Sequence, residues 1–217
     1  MSGRIGSCKR QRKTCNTRGR KIMTDLSKTN QREPGPAETI ARFEHRKSVS
    51  PKSIELFEYA DALRQVGRKN EALQHYAHLA TLPIPENKRW LVTLFKGQTL
   101  FEMGRFPEAE HAFRDACSHD PSTVPRVYLA AALAEQEQFA AAIGVLADAL
   151  HCEGDTDEVL LNLALNQRTL GQLAAAQKSL EQALAITPDY THAQTVLEDV
   201  NAALSLNDDV NELQMPT

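Results

Sequence analysis

The segment GQLAAAQKSLEQALAITP, residues 171–188, decides how this chain folds. It opens on a glycine and closes on a proline, residues that punctuate helices. Between them Ala176 is followed four residues on by Leu180 and seven on by Ala183, which places all three on one helical face. The segment GRFPEAEHAFRDACSHDP, residues 104–121, repeats the plan with Gly104, Ala109, Phe113, Ala116 and Pro121 in the same places. Two weaker copies carry Ala72 with Tyr76 and Ala142 with Leu146. The four alanines lie 37, 33 and 34 residues apart. A period near 34 residues predicts stacked helical hairpins, a solenoid with an all-α fold.

Each copy has a first helix upstream of its alanine. Numbering the units from Ser53, Trp90, Thr123 and Asp157, position 8 reads Ala60, Gly97, Ala130 and Ala164, and position 20 is alanine in all four. Small residues at these two places predict that the helices of each hairpin cross there at close range. Gly67, Gly104 and Gly171 close the first helices of units one, two and four, while Glu137 stands at that turn in unit three. Ser50-Pro51 reads as a helix start. Asp155 and Glu158 have the spacing of a capping box. Residues 191–206 carry an apolar stripe of Ala193, Val196, Leu197, Val200 and Leu204 without a partner helix, which predicts a C-terminal cap.

Charge divides the chain. Residues 1–52 hold 14 Lys/Arg against 4 Asp/Glu, and residues 53–217 hold 11 against 24. The expected organisation is a basic, mostly disordered leader over 1–50, with a short helix near Glu38–Glu44, a solenoid over 51–206 and an acidic disordered tail over 207–217. Met23 offers an alternative start. The acidic body is a poor phosphate-binding surface, so nucleic acid is expected only through residues 1–22.

No run approaches the ~20 apolar residues that span a bilayer. Cys8, Cys15, Cys117 and Cys152 lack disulfide or zinc spacing, and a reducing cytoplasm is the expected home. His75 and His78 lie one turn apart but do not supply the four converging ligands of a zinc site. No nucleophile–base set, phosphate loop or paired carboxylates stand out, so no enzyme activity, metal or cofactor is expected.

Units two and four resemble the tetratricopeptide repeat family, through Gly97, Gly104, Phe106, Ala109, Phe113, Ala116 and Pro121, and through Leu160, Ala164, Gly171, Ala176, Leu180, Ala183 and Pro188. Lys69, Lys96 and Glu137 depart from the family pattern. The resemblance covers about two-thirds of the chain. It implies a right-handed superhelix of about four hairpins whose first helices line a concave groove through positions 2, 5, 9, 12 and 13. Position 2 reads Ile54, Leu91, Val124 and Glu158. The implied partner-binding residues are Phe57, Leu91, Leu94, Gln98, Phe101, Val124, Val127, Ala131, Leu161, Leu165 and Arg168.

Members that bind the acidic C-termini of heat-shock chaperones share a Lys, Asn and Arg clamp at positions 5, 9 and 12. Phe57/Asp61, Leu94/Gln98, Val127/Ala131 and Leu161/Leu165 do not reproduce it. The implied groove is apolar and suits an amphipathic helix or extended peptide of a partner protein. The expected function is an adaptor or scaffold. Its alternatives are a chaperone similar to the small tetratricopeptide chaperones of type III secretion, or a nucleic-acid-associated protein using the leader. Oligomeric state is not written in the sequence.

Overall fold

The computed structural model describes residues 34–45 and 53–213. Most of the basic leader, the Ser50-Pro51 helix start and residues 214–217 lie outside the described residues. Ten helices follow one another in the described chain. They are α1 (Pro36–His45), α2 (Ser53–Gln65), α3 (Lys69–Thr81), α4 (Glu86–Glu102), α5 (Phe106–His119), α6 (Thr123–Glu135), α7 (Phe139–Ala149), α8 (Thr156–Thr169), α9 (Leu173–Ile186) and α10 (Thr191–Leu213). The hairpins α2/α3, α4/α5, α6/α7 and α8/α9 stack in chain order. The first helices also touch directly, α2 with α4, α4 with α6 and α6 with α8, forming one layer.

The close crossings are where the small residues predict them. Ala72, Ala109, Ala142 and Ala176 have no exposed surface, and neither do Tyr76, Phe113, Leu146 and Leu180 four residues on. At Gly97 a Cβ would stand 2.5 Å from Cε1 of the fully buried Phe113 ring. The backbone of α4 and the ring on α5 thus meet at a distance that excludes a methyl group.

All four hairpin turns close in the same way. Arg68 N donates to Leu63 O, Arg105 N to Leu100 O, Gln138 N to Leu133 O and Gln172 N to Gln167 O, at 2.9–3.0 Å. Each is the long bond of a Schellman motif, which needs a left-handed residue at the turn. Gly67, Gly104 and Gly171 supply φ of 88°, 76° and 72°. Glu137 takes φ 60° at the third turn and carries a Cβ into a region costing about 1–2 kcal/mol. Glu137→Gly is therefore expected to raise stability by about 1 kcal/mol in urea unfolding, and Glu137→Ala to gain nothing. Equal gains from both would remove backbone strain as the cause.

Four expectations need correction. First, α1 belongs to the folded body, which begins at Gly35 and not near residue 51. Ile40 is buried, and the Phe43 ring stacks on Tyr59 at 4.0 Å. Arg68 Nη1 and the Tyr59 hydroxyl both donate to Glu44 Oε1. Two apolar side chains in ten residues are a faint sequence signal, yet they suffice to cover the exposed edge of the first hairpin. Second, α4 starts a turn before Trp90. Third, α10 runs to Leu213, so most of the expected tail is helical. Fourth, the capping box at Asp155 and Glu158 does not form. Glu158 is engaged elsewhere: the Tyr190 hydroxyl donates to its Oε2 at 2.6 Å and Asn162 Nδ2 to its Oε1 at 3.2 Å.

Candidate functional site

The layer formed by α2, α4, α6 and α8 presents the row of positions that the sequence assigns to partner binding. The side chains sort by position. Phe57, Leu94, Val127 and Leu161, the position-5 residues, are buried, with Leu94 at 0% and Leu161 at 2% exposure. Phe57 meets Phe95 edge-to-face at 5.0 Å and Tyr76 at 6.0 Å, so it fills the joint between units one and two. Gln98, Phe101 and Leu165 are also buried. Leu91, Val124, Ala131 and Arg168 are half-buried. The layer has a sealed floor at position 5 and a partly open row at position 2, where Ile54 is 48% exposed.

Unit four differs from the rest. Leu161 and Leu165 pack in one cluster with Ala193, Val196 and Val200 of α10. Arg168 Nη1 reaches Asp199 of the same helix at 3.3 Å. The cap thus takes the place of a fifth first helix, and it withdraws these three residues from an open surface. Spacing alone could not show this, because a cap and a ligand make the same demand on an apolar face.

A charge network missed by the sequence reading sits between units one and two. Arg64 is 3% exposed. Its Nη2 donates to Asp61 Oδ1 and its Nη1 to Glu102 Oε1, both at 2.6 Å. The guanidinium also lies over the Phe95 ring, 5.5 Å from its centroid. Burial opposes the charge on Arg64, but the adjacent Asp61 and Glu102 carboxylates outweigh it and hold the guanidinium protonated above its ordinary range. Lys69 Nζ donates to the Glu102 carbonyl at 2.9 Å and stands 3.4 Å from Glu102 Oε2. This accounts for Lys69 as a departure from the family pattern: the position anchors the end of α4. Burial pushes the Tyr76 phenol up beside this network, and its hydroxyl has no hydrogen-bond partner among the described residues.

Lys96, another departure, is exposed at the floor of a cleft of about 620 Å³ between α3 and α5, beside Leu73, Leu100, Pro107 and His111. Burial pushes the Cys117 thiol up to about 11, which keeps it protonated and unreactive near neutral pH. His75 packs edge-on to Tyr59 at 5.0 Å and to Phe43 at 6.5 Å. Among the described residues no three of His, Cys, Asp or Glu come together where an ion could sit. None of the described helices is long and apolar enough to cross a membrane.

The hairpin stack, its spacing and the buried alanines agree with one comparison in particular: the tetratricopeptide repeat model matches residues 157–190, the fourth unit. Residues 157–190 match a tetratricopeptide repeat, and the described chain has the fold of a tetratricopeptide solenoid. Solved structures of such proteins share its fold. The MamA protein of Desulfovibrio magneticus superposes with a TM-score of 0.61 at 17% identity, over 76% of this chain and 92% of that one. The first tetratricopeptide domain of Spaghetti (RPAP3), solved with the HSP90 peptide SRMEEVD, gives 0.52 at 23% identity, over 55% and 95%. The second such domain of human RPAP3, solved with an HSP70 peptide, gives 0.51 at 17% identity, over 54% and 98%. No curated protein matches the chain. At these identities the tetratricopeptide likeness establishes architecture alone.

Proposed function

We propose that this protein is an interaction adaptor that holds a segment of a partner protein along α2, α4 and α6. The observation that carries the reading is the position-2 row. Ile54, Leu91 and Val124 keep accessible apolar surface at the same place on three successive helices. Side chains that pack only within the fold have no reason to stay open in register. Ala131 and Ala134 beside them leave space for a partner's larger side chains. The RPAP3 domains, which share the fold, are structures with bound peptides. Phe57, Leu94, Val127 and Leu161 support the surface from below in this reading, and Gln98 and Phe101 brace it. Leu165 and Arg168 serve the cap.

The test is affinity capture with the full chain and with Ile54→Ser, Leu91→Ser, Val124→Ser, read by mass spectrometry. A partner retained by the native chain and lost with the triple variant is the expected result. Because Ile54 is 48% exposed and neither Leu91 nor Val124 is fully buried, the variant is expected to stay folded with a lowered melting temperature, which circular dichroism checks. The same partners on both baits, with both folded, would move the function off this face.

A further inference from the structure

We propose that the segment bound on this face is basic: an amphipathic stretch of a partner protein whose apolar side chains lie over α2, α4 and the start of α6 and whose Lys or Arg side chains lie over the end of α6 and over α8. This rests on the adaptor reading and adds the chemistry of the partner. Residues 53–126 hold 9 Lys/Arg against 10 Asp/Glu, and residues 127–217 hold 2 against 14. Almost all the net negative charge of residues 53–217 therefore lies after residue 126.

The first half pairs five of its ten acids with its own Lys and Arg. Asp61 and Glu102 are paired with Arg64 and Lys69. Glu71 is paired with Arg68, Glu108 with Arg105 and Glu110 with Arg114. The second half has only Arg168 and Lys178 as Lys/Arg against its 14 Asp/Glu, and Arg168 faces Asp199. Glu135 is the last residue of α6, where the helix dipole is negative, and no cation lies within ion-pairing distance among the described residues. Glu158 occupies position 2 of α8, the place held by Ile54, Leu91 and Val124 in the earlier units, and Tyr190 and Asn162 fix its carboxylate. The open row therefore changes from apolar to acidic along its length. A ligand that matches it changes from apolar to cationic in the same direction. A field of one sign over an open face steers and selects such ligands, and it repels acidic peptides.

The experiment selects random 16-residue peptides displayed on phage against the full 217-residue chain. Three variants of the same chain follow: the Ile54, Leu91, Val124 serine triple; Glu135→Gln, Glu158→Gln, Asp199→Asn; and a control, Glu181→Gln, Asp189→Asn, Glu198→Gln, with equal charge removed elsewhere. The expected peptides combine apolar residues with Lys or Arg. They lose binding to the serine triple, weaken roughly tenfold on the first charge variant and stay within about twofold on the control. Neutral or acidic peptides that still depend on Ile54, Leu91 and Val124 would keep the adaptor face and overturn the basic partner. Basic peptides equally weakened by both charge variants would reduce the effect to bulk attraction and overturn it too. Selected peptides indifferent to the serine triple, or no selection at all, would overturn both readings.

Discussion

Serine at Leu94, Val127, Leu161 and Leu165 together is expected to unfold the solenoid. Family spacing assigns all four to the partner face, which would make the quadruple change a clean test of binding. Their burial makes it a test of folding. Leu94 and Leu161 expose 0% and 2% of their surface, and Val127 and Leu165 are buried. Truncating a buried leucine costs about 2–5 kcal/mol through lost transfer energy and the cavity left behind. A serine hydroxyl stranded in that cavity adds about 1–3 kcal/mol unless it finds a partner. Leu161 and Leu165 share one cluster, so their costs do not simply add. Even at the low end the sum is roughly 8 kcal/mol, against a typical stability of about 5–15 kcal/mol. Far-ultraviolet circular dichroism during thermal unfolding reads the outcome. A cooperative melt within a few degrees of the native chain would mean that these side chains face solvent.

Arg64→Ala is the second large effect, expected at about 3 kcal/mol in urea unfolding. Removing one partner of a buried pair leaves the other charges stranded. Here the stranded groups are Asp61 and Glu102, whose side chains are 17% and 27% exposed, so water rescues them in part and the low end of the usual range applies. Lys69 remains beside Glu102 and softens the loss further. The change also takes the guanidinium off the Phe95 ring. Arg64→Met keeps contact with Phe95 while removing the charge, and is expected to lose less than Arg64→Ala. A cost below about 1 kcal/mol for the alanine variant would show that the network is surface decoration.

The hairpins were legible because their signal is local. Ala72, Ala109, Ala142 and Ala176 recur with one period, each with a large residue four positions on, and the structure buries all eight. Glu137 was legible as the odd turn residue, and its φ of 60° shows that the backbone keeps the turn without glycine. The face was less legible. Period tells which way Leu94 or Leu161 points, but not whether a neighbouring helix has sealed it. Leu165 and Arg168 were read as open because their cover, α10, comes some thirty residues later. Arg64 and Glu102 lie 38 residues apart, a pairing that no window along the chain brings into view. Helix α1 was understated because it is short and has only two large apolar side chains, the buried Ile40 and the Phe43 ring stacked on Tyr59.

The joints between successive units are made of different materials. That between units one and two combines Phe57, Phe95 and the buried Arg64 charges, whereas the last unit meets its cap through a buried core of leucine, valine and alanine with its one ion pair, Arg168–Asp199, at the surface. Apolar contacts weaken on cooling, and the penalty for keeping charges out of water shrinks on heating. Temperature therefore acts on the two ends unequally. Cooling weakens the apolar contacts that seat the cap, and warming lowers the desolvation penalty of the Arg64 charges, so the balance of stability between the two ends of the solenoid depends on temperature.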